Sequence, residues 1–113
     1  MGEATGKLTI IDSITAKPGQ GRAVLDRYMA EFVPGAQARG MVLDQALVSP
    51  PLGMIGDRTN TLSFIWQVDG IEGWWAQRFA AAFDPAVRAF WAGLEPLVAH
   101  RDRAVHGEAA AHV

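Results

Sequence analysis

Hydrophobic and polar residues alternate at the start of this chain with a period of two. From Lys7 to Ala16, Leu8, Ile10 and Ile14 share one side, while the other side carries mostly threonine and serine. This period predicts a β-strand with one buried face. Pro18 and Gly19 end the strand, because proline has no N–H to donate to a neighbouring strand.

The next segment, Gln20 to Phe32, has the period of a helix. Its apolar residues fall on one stripe: Val24, Leu25, Tyr28, Met29 and Phe32. We therefore predict a helix. Pro34-Gly35 should break or kink it, because proline cannot continue the backbone hydrogen bonds.

Two further strands are predicted, from Met41 to Ser49 and from Thr61 to Val68. The first is apolar on both sides, which indicates burial on both sides. The second has one apolar face, made of Leu62, Phe64, Trp66 and Val68. A long loop, Pro50 to Asn60, joins them, and such loops often serve binding.

The aromatic segment from Ile71 to Val98 predicts a helix that is interrupted at Asp84-Pro85. Trp75, Phe79 and Phe83 recur every four residues, and an aspartate followed by proline is a helix-start signal. Arg101 to His106 is then a short, mostly polar strand, which we expect at a sheet edge.

The resulting order, β-α-β-β-α-β, predicts an α+β fold with a four-stranded antiparallel sheet and helices on one face. We expect one domain over residues 7–106, with flexible tails at 1–6 and 107–113. The other sheet face would leave four apolar residues outside: Ile11, Leu43, Leu47 and Ile65. Large exposed apolar patches are rare in monomers, so we predict that a homodimer covers this face.

Composition narrows the classes of function. The chain has 113 residues, is half hydrophobic and carries a net charge of −2, which suits one folded domain. It has no run of lysine and arginine, so nucleic acid and membrane surfaces are not expected partners. No stretch approaches the ~20 apolar residues of a membrane span. The absence of cysteine excludes disulfides and thiolate chemistry and agrees with a cytoplasmic location.

Several motifs are similar to those of a known group of proteins. They are Lys17-Pro18-Gly19 after the first strand, Phe64-Ile65-Trp66 in the third, and Asp84-Pro85-Ala86 through Phe90-Trp91 to Leu94-Glu95-Pro96-Leu97. On these motifs, which cover most of the chain, it resembles the dimeric α+β barrels of ferredoxin-like fold. Within them it resembles the NIPSNAP-like and antibiotic-biosynthesis-monooxygenase-like proteins. The resemblance implies a small-molecule pocket between the sheet and the helices of each subunit. It leaves the reaction open, because the group includes monooxygenases, cyclases, isomerases, lyases and proteins of unknown role.

Asp12 is the candidate catalytic residue. It shares the apolar side of the first strand with Ile10 and Ile14. A carboxyl group there must find a partner or become a usable general acid or base. The resemblance adds that haem-degrading relatives carry a functional asparagine at this position, seven residues before the glycine that opens the first helix. The alternative is a structural ion pair between Asp12 and an arginine.

Five residues are candidates for substrate binding: Tyr28, Trp66, Trp75, Arg78 and Trp91. A tryptophan can stack on a flat ligand, and the position of Trp75, nine residues after Trp66, resembles that of a pocket tryptophan in the same relatives. Aromatic residues on a helix stripe are more often core, so we expect Trp75 to be buried. Arg78 suits a carboxylate or phenolate, and the hydroxyl of Tyr28 needs a partner.

No cofactor or metal is expected. Where the haem-degrading relatives place an iron-binding histidine, this chain has Phe90 and Trp91, and its own histidines are His100, His106 and His112. They form no ligand pattern with a carboxylate at helix spacing, and no glycine-rich turn indicates a nucleotide.

The sequence therefore favours a cofactor-independent isomerase, cyclase or lyase in which Asp12 moves a proton on a flat, apolar, aromatic or polyketide-like compound. Two alternatives are open: a non-catalytic NIPSNAP-like ligand-binding or interaction module, and a cofactor-free monooxygenase. The non-catalytic alternative expects Asp12 in a tight ion pair and a filled interior.

Overall fold

Four strands make one antiparallel sheet in the order β2-β3-β1-β4. In the computed structural model, which describes residues 6–111, the strands span Lys7–Ala16 (β1), Val42–Ser49 (β2), Thr61–Asp69 (β3) and Val98–His106 (β4). The helices are Gly21–Arg27 (α1), Val33–Ala38 (α2), Gly70–Ala82 (α3) and Pro85–Leu94 (α4), with a π-helical turn at Tyr28–Phe32 and short 3₁₀ turns at Glu95–Leu97 and Ala109–Ala111. The helices cover one face of the sheet, so the predicted α+β, ferredoxin-like architecture is confirmed. Residues 1–5 and 112–113, which belong to the predicted tails and include His112, lie outside the described residues.

The core lies between the inner face of the two central strands and the helices. In β1 and β3 every second side chain is buried, and the register sets Ile10 opposite Trp66 and Asp12 opposite Phe64. The predicted apolar faces of these two strands are confirmed. Their alternation is regular because each strand has a neighbour on both sides and helices on only one face.

The predicted faces of β2 are partly wrong. A bulge between Leu43 and Gln45 changes the side-chain parity, so Leu43 pairs with Trp66 on the helix side and Leu47 pairs with Ser63 on the open side. One extra residue in a strand reverses every side chain that follows it. β2 is also an edge strand and is mostly exposed, so the expected burial on both sides is not found in the single chain.

The first helix continues past Pro34 instead of breaking there. The π-helical turn at Tyr28–Phe32 precedes α2, in which Pro34 occupies one of the first two positions. A proline ring collides with the carbonyl four residues earlier in a regular helix, and a wider π turn relieves that contact. The helix ends near Gly40, whose φ is +95°, the left-handed conformation that glycine commonly adopts after a helix C-terminus.

The aromatic row of α3 faces outward, and the expectation that Trp75 is buried is wrong. Trp75, Phe79 and Phe83 are 46%, 57% and 83% exposed. The residues of α3 that turn inward are Trp74 and Gln77. This helix has apolar residues around most of its circumference, so its period could not show which side meets the sheet.

The interruption at Asp84-Pro85 is confirmed: Asp84 accepts a hydrogen bond from the backbone N–H of Ala86 at 2.9 Å, and α4 begins at Pro85. Among residues 6–111, no helix has the length and the hydropathy needed to cross a membrane.

Candidate functional site

A chain of hydrogen bonds crosses the core from Trp66 to Arg103. Trp66 Nε1 donates to the Tyr28 hydroxyl at 2.8 Å, and that hydroxyl donates to Asp12 Oδ2 at 2.7 Å. Arg103 reaches the same carboxylate from β4, with Nε 2.5 Å from Oδ1 and Nη2 2.7 Å from Oδ2. Both oxygens of Asp12 therefore accept hydrogen bonds, and a bidentate arginine is among the strongest partners for a carboxylate.

The fold positions each member of this chain. Asp12 lies on central strand β1, directly opposite Phe64 of β3 and Arg103 of β4. The π-helical turn holds Tyr28 above them, and its ring stacks on that of Phe64 with 3.6 Å between the centroids. Asp12, Tyr28 and Trp66 are each 0% exposed.

Only Arg103 connects this buried chain with solvent, since its side chain is 29% exposed while that of Asp12 is 0% exposed. Burial opposes the charge on Arg103, but the hydrogen bonds and the charge of Asp12 outweigh burial and raise the pKa of Arg103. Burial, followed by the charge and the hydrogen bond of Asp12, raises the pKa of Tyr28 far above its ordinary value. The site is thus an ionic pair with a neutral phenol behind it.

Arg103 also lines a cleft of about 470 Å³ between α3, α4 and β4, which we call the first cleft. Its other walls include Trp74, Gln77, Arg78, Val87 and Val105. Arg78 lies over the Trp74 ring, with Cζ 5.3 Å from its centroid, and Gln77 is fixed by a hydrogen bond to the Trp74 carbonyl at 3.0 Å. The cleft combines apolar walls with a few fixed polar groups, as ligand sites do.

A second cleft, of about 460 Å³, lies farther along β4 and shares no lining residue with the first. It is lined by Trp91 and Leu94 of α4 and by Val98 and Arg101 of β4, among others. Arg101 packs on the Trp91 ring with Cζ 3.5 Å from its centroid, a close cation–π contact.

The structure brings some of the predicted site residues together and separates others. Asp12, Tyr28 and Trp66 form the buried chain, whereas Arg78 lines the first cleft and Trp91 the second. Trp75 lines neither cleft and lies in the outward row of α3. Asp44, at the bulge of β2, is exposed and belongs to neither cleft.

Sequence reasoning missed Arg103, Arg101 and Trp74. A signal for Arg103 was available, because a carboxylate on an apolar strand face needs a cation, and Arg103 lies in the one predicted edge strand with arginines at alternate positions. The pairing of Asp12 with Arg103 could not be predicted from the sequence, because it depends on the register of β4 against β1. No signal distinguished Trp74 from Trp75 as the inward tryptophan.

Possible metal ligands are dispersed. Within residues 6–111, no three histidine or acidic side chains come together. His100 and His106 lie on the open face of the sheet, opposite Thr15 and Thr9 of β1, on the same side as Asp102 and away from both clefts.

Comparison with known proteins identifies neighbours by structure only. No family model and no curated protein matches the chain. Among solved structures, a NIPSNAP family protein of unknown function from Agrobacterium tumefaciens has a TM-score of 0.72 and 17% identity over 92% of this chain and 89% of its own. A NIPSNAP domain protein from Burkholderia xenovorans has a TM-score of 0.70 and 19% identity, over 87% and 90% of the two chains.

Two other neighbours carry different descriptions. A provisionally named antibiotic biosynthesis monooxygenase from Nitrosomonas europaea has a TM-score of 0.65 and 10% identity, over 90% of this chain and 89% of its own. A dimeric ferredoxin-like protein of unknown function from Thermobifida fusca has a TM-score of 0.52 and 18% identity, over 91% and 92%. Identities this low bear on fold alone, so the resemblance to NIPSNAP-like and antibiotic-biosynthesis-monooxygenase-like proteins is confirmed as one of fold.

Proposed function

We propose that this protein binds a flat, largely apolar small molecule in the first cleft and holds the ligand's carboxylate or phenolate with Arg103 and Arg78. The observation that carries the proposal is the bidentate pair of Arg103 with the fully buried Asp12 at the edge of that cleft. Asp12 acts here as a positioning residue, because both of its oxygens already accept hydrogen bonds.

The argument rests on the donors that Arg103 keeps. A guanidinium has five N–H groups, and the contacts with Asp12 occupy Nε and one N–H of Nη2. Both N–H groups of Nη1 and the second of Nη2 are left for a ligand. Because Asp12 fixes the guanidinium, little side-chain entropy is lost when an anion binds.

The apolar part of the ligand would lie against Trp74, Val87 and Val105. Arg78 lies over the Trp74 ring at the same cleft and supplies a second positive charge. Two cations beside an aromatic wall favour an aromatic carboxylate or phenolate over a neutral compound.

The experiment is a calorimetric titration with 1-hydroxy-2-naphthoate, a flat compound that carries both polar groups. Arg78→Met should weaken binding by about ten-fold or more, the value of a lost charge-assisted hydrogen bond. Arg22→Met is the matched control, because Arg22 is an exposed arginine paired with Asp26 on α1. Equal affinities of Arg78→Met and the unaltered protein would exclude the proposal.

A second candidate is a cofactor-independent enzyme that transfers a proton: an isomerase, cyclase or lyase. It is supported by the chain from Trp66 through Tyr28 and Asp12 to Arg103, because Arg103 lines the first cleft. If a ligand anion draws Arg103 away, an oxygen of Asp12 becomes available as a base. A cofactor-free monooxygenase would likewise need Arg103 to move away from Asp12, and it would also need an electron-rich substrate.

One measurement distinguishes the binding protein from the proton-transfer enzyme. Proton transfer should accelerate the exchange of the C3 hydrogens of phenylpyruvate in D₂O, followed by NMR, because its carboxylate can draw Arg103 away from Asp12. Asp12→Asn should abolish the acceleration. A binding protein should bind hydroxynaphthoate and leave the exchange of phenylpyruvate at its rate in buffer.

We also propose that two copies pair through the open face of the sheet. Ile11 of β1 and Ile65 of β3 are directly opposite one another on that face, and Leu47 of β2 is 48% exposed there. A second copy would cover these apolar side chains. A cytoplasmic location remains the prediction from the absence of cysteine.

A further inference from the structure

The second cleft contains two arginines that lack an acidic partner in the described part of the chain. Arg88 of α4 and Arg101 of β4 both line it, and neither forms an ion pair with any residue between 6 and 111. Glu95 is the single acidic residue among the lining side chains. The cleft therefore has an excess of positive charge.

Arg101 is held in place without using its hydrogen-bond donors. Its Cζ lies 3.5 Å from the centre of the Trp91 ring, so the guanidinium rests on the aromatic face while its N–H groups stay at its edges. Burial lowers the pKa of Arg101; the charge of Asp12 opposes this and the charge of Arg103 adds to it. A bound anion would compensate for the unfavourable burial of this charge.

The apolar walls of this cleft are mainly aliphatic. Ala92 and Leu94 of α4 and Val98 of β4 form them. The guanidinium of Arg101 covers the face of Trp91 on which a flat ring would otherwise stack. These walls suit a flexible alkyl group better than an aromatic one. In the first cleft the arginine is farther from the tryptophan, with Arg78 Cζ 5.3 Å from the centroid of the Trp74 ring.

We infer that the second cleft is a separate binding site for a small aliphatic monocarboxylate. Arg101 and Arg88 hold the carboxylate, and the alkyl chain lies on Ala92, Leu94 and Val98. Glu95 disfavours a ligand with a second negative charge. The inference is independent of the proposed function, because the two clefts have no lining residue in common.

The test uses octanoate as the probe in calorimetric titrations of the full chain. Octanoate should bind at one saturable site, and Arg101→Met should raise its Kd by about ten-fold or more. Arg101→Lys keeps the charge but loses the planar guanidinium and its stacking on Trp91. Its Kd for octanoate should therefore lie between those of the unaltered protein and Arg101→Met. Arg88→Met should weaken binding less, because the Arg88 side chain is not held against an aromatic ring.

Three controls separate this site from nonspecific binding. Octanol should bind more weakly than octanoate and should be insensitive to Arg101→Met, because it carries no charge. Arg22→Met and Arg78→Met should leave octanoate binding unchanged. Loss of octanoate binding in Arg78→Met rather than in Arg101→Met would overturn the inference by assigning the anion to the first cleft. The absence of saturable binding in the unaltered protein would overturn it as well.

Discussion

At the scale of single residues, the two ends of the buried ion pair differ in their access to water. The Asp12 side chain is 0% exposed and that of Arg103 is 29% exposed. A buried ion pair contributes little net stability compared with an apolar pair, but the removal of one partner leaves an uncompensated charge. The cost of that charge should depend on which partner remains.

We therefore predict an asymmetry between Arg103→Met and Asp12→Asn. Arg103→Met leaves the fully buried carboxylate with Tyr28 alone and should lower the free energy of unfolding by about 3–5 kcal/mol. Asp12→Asn should cost less, about 1–3 kcal/mol, because Arg103 can turn toward solvent and Asn can still accept a hydrogen bond from Tyr28. The measurement is urea denaturation, with the double variant included. A larger loss in Asp12→Asn than in Arg103→Met would contradict the description of the pair.

Tyr28 predicts how stability changes at alkaline pH. Burial and then the charge of Asp12 raise the pKa of Tyr28, so the folded chain keeps this proton at pH values where the unfolded chain loses it. The contribution is fully present below the ordinary tyrosine pKa of about 10 and declines above it, by at most about 1.4 kcal/mol per pH unit.

Because Tyr28 is the chain's single tyrosine, ultraviolet absorbance reports its ionisation without interference from another tyrosine. Tyrosinate absorbance should rise together with unfolding, measured by circular dichroism, and not before it. Tyr28→Phe should show a weaker decline of stability above pH 10. Ionisation of Tyr28 in the folded protein near pH 10 would show that its hydroxyl is accessible.

At the scale of elements, the buried faces of the central strands could be predicted from the sequence, whereas those of the edge strand β2 could not. The inner faces of β1 and β3 were predictable because these strands are central and alternate strictly. The faces of β2 were not predictable, because the bulge before Gln45 reverses the sides on which the following side chains lie. No glycine or proline in the strand signals this bulge. The π-helical turn that places Tyr28 next to Asp12 could not be predicted from the sequence either, because it results from how the helix accommodates Pro34.

The outward orientation of the aromatic row of α3 can be tested by substituting one exposed and one buried phenylalanine. Phe83 at its C-terminal end is 83% exposed, whereas Phe90 of α4 is 5% exposed. Phe90→Ala removes buried surface and leaves a cavity, so it should cost about 3–5 kcal/mol. Phe83→Ala should change the free energy of unfolding by no more than about 0.5 kcal/mol.

Chemical denaturation of both variants measures this difference. A loss of several kcal/mol in Phe83→Ala would show that the outward row of α3 is covered in solution, and a dependence of that loss on protein concentration would identify the cover as another copy.

At the scale of the whole molecule, the chain is a slab with principal extents of 51 × 31 × 18 Å. Helices lie on one side of the sheet, and a row of four residues crosses the middle of the other side: Gln45, Ile65, Ile11 and Ala104. Polar pairs flank this row, with Thr9 donating to Gln67 at 3.1 Å and Thr15 and Thr61 sharing a hydrogen bond at 2.9 Å. An apolar centre with a hydrogen-bonded surround is the composition of a protein interface.

The final prediction concerns this open face. Ile65→Lys places a charge next to Ile11 in the middle of the open face, where pairing with a second copy would bury it. It should therefore shift a dimer toward monomers without unfolding the chain. Sedimentation velocity over a range of concentrations measures the shift, and circular dichroism checks the fold. Phe83→Lys is the matched control, because it adds the same charge to an exposed apolar residue at the end of α3. Dissociation by Phe83→Lys and not by Ile65→Lys would place the contact on α3, and a monomer at every concentration would rule out pairing altogether.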